Sequence, residues 1–339
     1  MSLEVLAGGL LTTVQDLGRR SWQHLGVAPS GAMDWVSHTL ANWLVGNDEG
    51  AATLEMTLQG ATVRFHADSL IALCGGRFST AIADRAVPLW RPIWIRAGSV
   101  LDCGRATTGA RLYMAIAGGI DVPEVMQSRS TNLVAHFGGW HGRSLQRGDF
   151  IPVGKPNTRA LSLQAYLHHT CAHREAFSQA FCAAPFFVSD ALHTVKRAPL
   201  VVRVVRAPNF EHLTLESQLR FFAEPFTITP DSNRMGYRLQ GPVLQRTSQS
   251  ELLSTATVSG AIQVPPDGNP IILLADRQTV GGYPVVAVVA TADVPRLAQA
   301  KPNDRVWFQE VSLRVAQALL IRQKNDMFCV KAYLDALVL

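Results

Sequence analysis

Short apolar runs punctuated by glycine and proline recur along this chain, and that rhythm limits what it can fold into more than any other feature. In RLYMAIAGG, Leu112, Met114 and Ile116 repeat at every second position. Over residues 53–58, Leu54, Met56 and Leu58 take one face while Thr53, Glu55 and Thr57 take the other. Period-two alternation is the mark of a half-buried strand, because successive side chains point to opposite faces. Residues 69–74, 200–205, 270–275, 284–290 and 305–309 are further β-rich runs, and 26 glycines and 18 prolines provide the turns between them. The pattern predicts a mainly β fold, a barrel or a sandwich, with a few short helices.

Two segments break the rhythm. Val36, Leu40, Trp43 and Leu44 fall at helical spacing, Ser30 or Asp34 can cap the start, and Gly46 can end the turn. Near the C-terminus Met327, Val330, Leu334 and Leu337 keep the same spacing and predict a terminal helix. Between about residues 155 and 198 the alternation disappears. The expected organisation is a β subdomain over residues 1–155, a linker or insertion over 156–198, and a second β subdomain over 199–339 that carries the terminal helix.

Composition narrows the classes. With 47% hydrophobic and 17% charged residues, the 339-residue chain can bury a sizeable core. Its net charge of +5 comes without a basic tract, which argues against nucleic acid as the partner. Arginine dominates the positive charge, and forked, permanently charged guanidinium groups suit fixed anion contacts. No run of apolar residues is long enough to span a membrane. The first residues, MSLEVLAGG, lack a positive leader and meet Glu4, so no secretory signal is expected. Five scattered cysteines suggest reduced thiols in a cytoplasm.

Polar residues concentrate in four stretches. The first, TTVQDLGRRSWQHLGVAPSGAMD, holds Asp16, Arg19, Ser30 and Asp34 ahead of the helix, where backbone amides can face an anion; a capped helix with a polar lead-in accounts for it equally well. In the second, Arg129, Ser130 and Thr131 place a guanidinium beside two hydroxyls, followed by Gly138-Gly139. A plain surface loop is the alternative. The third, DSNRMGYRLQGP, sets Arg234 and Arg238 four apart, so that two positive charges converge unless the segment is a solvated face. The fourth couples Gln263 to LLADRQTVGGYP, where Asp276, Arg277, Gln278, Thr279, Gly281, Gly282 and Tyr283 crowd the turn between two buried strands. A simple turn needs no such set. There is no P-loop and no G-x-S-x-G elbow. HHTCAH, residues 168–173, matches no zinc spacing, and a structural or surface role is expected for it.

These blocks, together with ANWLVGN, LEMTLQGATVRF, AIAGGIDVPEVMQSRSTN, FGGWHGRSLQRGD, GAIQVPPDGNPIILLADRQTVGGYP and AQAKPNDRVWF, resemble the biotin-dependent carboxyltransferase family, also called the allophanate hydrolase subunit 2 or KipA family. The resemblance covers about residues 10–155 and 200–312. It implies two cyclophilin-like β-barrel subdomains and a KipI-like partner of the allophanate hydrolase subunit 1 family. The activity it implies first is that of an ATP-dependent 5-oxoprolinase complex, which opens 5-oxoproline to L-glutamate with a further LamB/YcsF-like subunit. Also implied are the carboxyltransferase part of a urea or amide carboxylase, where biotin is the carrier, and a non-catalytic regulator that binds a kinase inhibitor. The chain departs from the family at Gly76-Arg77, at Asn233, and over residues 202–210. Both reactions handle an amide-like group and an anion. Accordingly Arg19, Ser30, Asp34, Arg129, Ser130, Thr131, Arg234, Arg238, Gln263, Gln278, Thr279, Gly281 and Gly282 are candidates for binding substrate or phosphate, with ATP shared with the partner subunits. Asp276 is the candidate proton acceptor, Arg277 the anion clamp, and Tyr283 a donor to a developing oxyanion.

Overall fold

The computed structural model describes residues 2–172, 180–189, 199–248 and 253–337. Its contacts group the chain into two compact units, neither of them one uninterrupted stretch. Met1–Gly18, Asp34–Thr194 and Asp326–Leu339 make the first, and Arg19–Met33 with Val195–Asn325 make the second. As the alternation predicts, both are built mainly of strands.

In the first unit the strands are β1 (Ser2–Ala7), β2 (Leu11–Gln15), β3 (Thr53–Thr57), β4 (Thr62–Phe65), β5 (Ser69–Phe78), β6 (Ala81–Ile82), β7 (Arg85–Ala86), β8 (Pro92–Ile95), β9 (Val100–Asp102), β10 (Ala106–Ile116), β11 (Phe150–Pro152) and β12 (Phe181–Ala183). They form two antiparallel sheets, ordered β11-β1-β4-β9-β6-β7 and β12-β8-β5-β10-β3-β2. Leu3, Val5, Val63, Phe65 and Leu101 of one sheet share a single core with Val14, Leu54, Met56, Leu73, Leu112 and Met114 of the other. Each such side chain contributes about 1.5–3 kcal/mol through removal from water. Within residues 156–198 the described part is helix α2 (Thr158–Ala172) and β12, which pairs with β8. Residues 173–179 and 190–198 lie outside the described residues, as does the last histidine of HHTCAH. His168 sets its ring edge-on to Trp94 at 6.2 Å.

The second sheet has a polar row behind its apolar face. Register puts Cys74 beside Tyr113, Tyr113 beside Glu55, and Glu55 beside Thr13. A lone sheet would show these to water. Instead helix α1 (Trp35–Leu44) packs across β5 and β10 and buries them. Gly75, in β5 at a φ of 121°, lies where an added Cβ would sit 2.3 Å from the Arg111 carbonyl oxygen of β10. Gly75→Ala is therefore expected to cost about 1–3 kcal/mol, read as a lower urea midpoint at unchanged slope.

The strands of the second unit are β13 (Leu200–Arg206), β14 (Phe226–Ile228), β15 (Gly236–Gln240), β16 (Thr255–Ala256), β17 (Ala261–Gln263), β18 (Ile271–Leu273), β19 (Val280–Gly281), β20 (Val285–Val289) and β21 (Arg305–Glu310). Seven of them close a barrel in the order β13-β20-β17-β18-β15-β14-β21. β13 and β21 pair in parallel, and the other barrel pairs are antiparallel. Val202, Val204, Phe226, Ile228, Leu239, Ile262, Ile272 and Val286 fill its core. Helix α3 (Leu215–Ala223) places Phe221 flat against Phe308 at 4.7 Å. Helix α4 (Val294–Ala298) precedes β21, and α5 (Leu313–Ala336) runs from the second unit into the first. In the predicted terminal helix Met327 and Leu334 are buried, whereas Leu337 is exposed and Val330 only half-buried.

One expectation is corrected outright. Cys74, Cys103 and Cys329 are free thiols, but Cys182 is disulfide-bonded. Spacing along the sequence carries no information about which thiols the fold brings within bonding distance. Among the described residues no helix is long and apolar enough to cross a membrane, and no group of three or more His, Cys, Asp or Glu is placed to hold a metal.

Candidate functional site

The DRQTVGGY turn begins where β18 leaves the barrel and ends where β20 re-enters it. It carries its own short strand, β19, paired with β16. Asp276 is 3% exposed, and Arg234 grips it with two bonds, Nε to Oδ2 at 2.9 Å and Nη2 to Oδ1 at 3.1 Å. The Asp276 amide also donates to the Arg234 carbonyl at 2.9 Å. Arg234 Nη2 donates in addition to the Gly31 carbonyl at 2.8 Å. One guanidinium thus joins three loops of the second unit: residues 19–33, the segment before β15, and the DRQT turn. The carboxylate expected to accept a proton is engaged in a forked, buried ion pair, and its evident work is to hold Arg234 in place.

Arg277 is placed differently. It is 7% exposed, with Nη2 donating to Gln23 Oε1 at 3.0 Å and Nη1 reaching the Leu274 carbonyl at 3.3 Å. Among the described residues its buried Nε has no partner. Burial, and then repulsion from Arg20, lower its pKa from the usual arginine value. Ser30, at a φ of 55°, donates its amide to the Ala275 carbonyl at 3.2 Å. Arg19 is buried, and its amide donates to the Pro29 carbonyl at 2.8 Å.

The remaining candidates of the turn form a second group. Gln263, buried on β17, donates Nε2 to the Tyr283 carbonyl at 3.4 Å. Thr257 donates its amide to the Thr279 carbonyl at 2.9 Å and its hydroxyl to the Gln278 carbonyl. Gly281 is there for a close approach: an added Cβ would stand 2.7 Å from Gln263 Nε2. Gln278, Gly282 and Tyr283 are exposed, Tyr283 at 45%. Arg238 is exposed on β15, away from the buried Arg234. The four-residue spacing did not bring them together because β15 begins only at Gly236, leaving Arg234 in the preceding loop.

In the first unit, Asp34 caps α1 by accepting the Ser37 amide at 3.0 Å. The hydroxyls of Ser128 and Ser130 and the amides of Gly18 and Arg129 all donate to Asp16. Thr131 donates its hydroxyl to the Val14 carbonyl at 3.1 Å. Arg129 directs its guanidinium to Glu124 at 2.6 Å, with Asp121 at 3.7 Å, so acids of this unit already answer its charge. Sequence reasoning missed the polar layer beneath α1. Tyr113 donates to Glu55 Oε2 at 2.7 Å and accepts the Asp34 amide at 2.8 Å. Burial, then the carboxylates of Glu55 and Asp34, push the Tyr113 phenol well above its usual range. His38 is enclosed there, with Nδ1 3.0 Å from Thr53 Oγ1 and Nε2 3.1 Å from the Glu49 carbonyl. The available signal was the run of polar residues at alternate positions of β2, β3 and β10.

Comparison with known proteins agrees with this architecture. The family model for the carboxyltransferase domain, subdomains A and B, matches residues 25–310. The chain is 36% identical to the 5-oxoprolinase C subunit of Escherichia coli (strain K12) over 326 residues, 96% of each chain. It is 34% identical to the corresponding 5-oxoprolinase C subunit of Haemophilus influenzae, over 93% of each. Among solved structures, the urea amidolyase of K. lactis superposes with a TM-score of 0.82 at 31% identity. That match covers 96% of this chain but 19% of the amidolyase, so this chain corresponds to one part of a much longer protein there. With the family model spanning most of its length and full-length relatives above 30% identity, the chain belongs to the carboxyltransferase family of subdomains A and B, the allophanate hydrolase subunit 2 family.

Proposed function

We propose that the chain is the C subunit of an ATP-dependent 5-oxoprolinase, opening 5-oxoproline to L-glutamate in complex with a KipI-like and a LamB/YcsF-like subunit. The observation that carries this reading is the end-to-end match, at 36% identity over 96% of both chains, to a protein of that name. The geometry supports a contributing role within a complex: the one carboxylate of the DRQT turn is held by Arg234, while guanidinium and hydroxyl donors stand beside it. A lactam resists hydrolysis through amide resonance. ATP, supplied to a site shared with the partners, activates the carbonyl oxygen by phosphoryl transfer. What this chain then provides is orientation and directed donors for negative charge, not a nucleophile. The exposed Tyr283 phenol is the donor offered to the developing oxyanion. A cytoplasmic setting, where ATP is at hand, belongs to the same proposal.

The test is 5-oxoproline-dependent ADP release from the purified proteins. Release is expected with all three present and to fall to background when this chain is left out. Turnover by this chain alone, or turnover indifferent to its omission, refutes the proposal. A second reading, the carboxyltransferase component of a biotin-dependent urea or amide carboxylase, draws on the likeness to urea amidolyase. It predicts urea-dependent discharge of a carboxylated biotin carrier and no response to 5-oxoproline.

A further inference from the structure

Buried donors without acceptors gather on two loops of the second unit that are tied together by hydrogen bonds. Arg277 Nε, Ser30 Oγ and Trp22 Nε1 are each enclosed, and each lacks a hydrogen-bond partner among the described residues. Trp22 precedes Gln23, whose Oε1 accepts from Arg277 Nη2. Ser30 donates its amide to Ala275, two residues before Arg277. Orphaned buried polar groups lose their hydration without a replacement bond, and an arginine without a counter-charge loses more. A fold keeps such groups where something else completes them.

The character of the missing group follows from what surrounds it. Residues 19–33 contain two arginines and a histidine and no Asp or Glu. The one acid on the facing turn, Asp276, is spent on Arg234. Arg20 adds a second positive charge close enough to act on Arg277. Arginine and indole N–H groups can only donate, and a serine hydroxyl donates as readily as it accepts. A set of this kind repels a cation and, through the uncompensated guanidinium charge, prefers an oxyanion to a neutral amide. We infer that residues 19–33 and 274–277 of this chain form an oxyanion site, taking a carboxylate or a phosphoryl group on Arg277 with Ser30 and Trp22 as supporting donors. The site belongs to the chain by itself and does not depend on which complex the chain serves.

Calorimetric titration of the full chain alone, at constant ionic strength with chloride as the background anion, tests this. The probes are inorganic phosphate, 5-oxoproline and the neutral 2-pyrrolidinone. One or both oxyanions should bind at one site per chain, and 2-pyrrolidinone should not. Tight phosphate binding identifies a phosphoryl subsite, and tighter 5-oxoproline binding identifies a carboxylate subsite. Arg277→Gln should weaken binding at least tenfold, and Ser30→Ala and Trp22→Phe by a few fold each. In oxyanion-free buffer Arg277→Gln should melt no lower than the parent, since it removes an uncompensated buried charge. If Arg277→Gln fails to fold, the two milder variants carry the measurement. Absence of binding by both oxyanions, equal binding of 2-pyrrolidinone, or affinity unchanged in the variants would overturn the site. Such a result together with normal ADP release from the reconstituted complex would leave the proposed 5-oxoprolinase role standing.

Discussion

Asp276→Asn is expected to destabilise the second unit by about 3–5 kcal/mol, the cost of leaving one member of a buried ion pair without its partner. The substitution keeps the shape of the side chain but strands Arg234, 3% exposed, without the carboxylate that accepts its Nε and Nη2. The damage should spread along the backbone, because Arg234 also holds the Gly31 carbonyl and the Asp276 amide is bonded to the Arg234 carbonyl. Differential scanning calorimetry should show a fall in Tm of roughly 10 °C. Arg238→Gln, on the exposed face of β15, serves as the control and should change stability by about 0.5 kcal/mol or less. A drop in Tm below about 2 °C for Asp276→Asn would show that the pair contributes little and would free Asp276 for the proton-accepting role first expected of it.

The second large effect is a dependence of stability on pH centred on His38. Burial beneath α1 lowers its pKa from 6.5 to about 4, against the opposing pull of Asp16, the Glu49 carbonyl, Glu55 and Asp34. Between those two values the unfolded chain binds a proton that the folded chain does not, so stability rises with pH across the window. The contribution is complete above about pH 6.5 and falls away as pH drops towards 4, by about 3 kcal/mol in all. Urea unfolding at half-unit steps should record that slope. In His38→Gln the slope across this window should largely vanish, even though the variant is less stable at pH 7 for loss of the Thr53 and Glu49 contacts. Asp149, held by Arg143 to about 2, acts lower down: its stabilisation is present above about pH 3.8 and is lost as pH falls through 2. An unchanged slope in His38→Gln would move the effect to other groups.

Both effects involve contacts that local patterning does not display. The alternation of Leu54, Met56 and Leu58 with Thr53, Glu55 and Thr57 announces a strand and divides its faces. It does not say that α1 will cover the polar face, and so it does not reveal that Glu55 and His38 are buried near each other. The apolar spacing of α1 was legible, and Asp34 was one of two residues foreseen as its cap; only the fold chose between it and Ser30. The four-residue spacing of Arg234 and Arg238 pointed the other way, suggesting one shared face where the structure has a loop residue and a strand residue. The crowding of the DRQT turn was visible without any structure, but which of its groups were already satisfied was not.

By itself the sequence determined the things that depend on near neighbours: the strand rhythm, the helix ahead of Gly46, the polar content of each loop, and the absence of any acid in residues 19–33; helices α3 and α4, and the start of α5 at Leu313, came only with the structure. Periodicity and composition act over a few residues, so a linear reading recovers them. Tertiary structure decided which charge meets which. Asp276 finds Arg234 across 42 residues, whereas the Arg277 guanidinium meets the Gln23 amide oxygen and a carbonyl. The physical reason is that a buried charge is settled by whatever the register of distant strands and the path of the connecting loops place within about 3 Å of it. No local pattern encodes that distance, and it is what separates a satisfied carboxylate from an arginine still short of an anion.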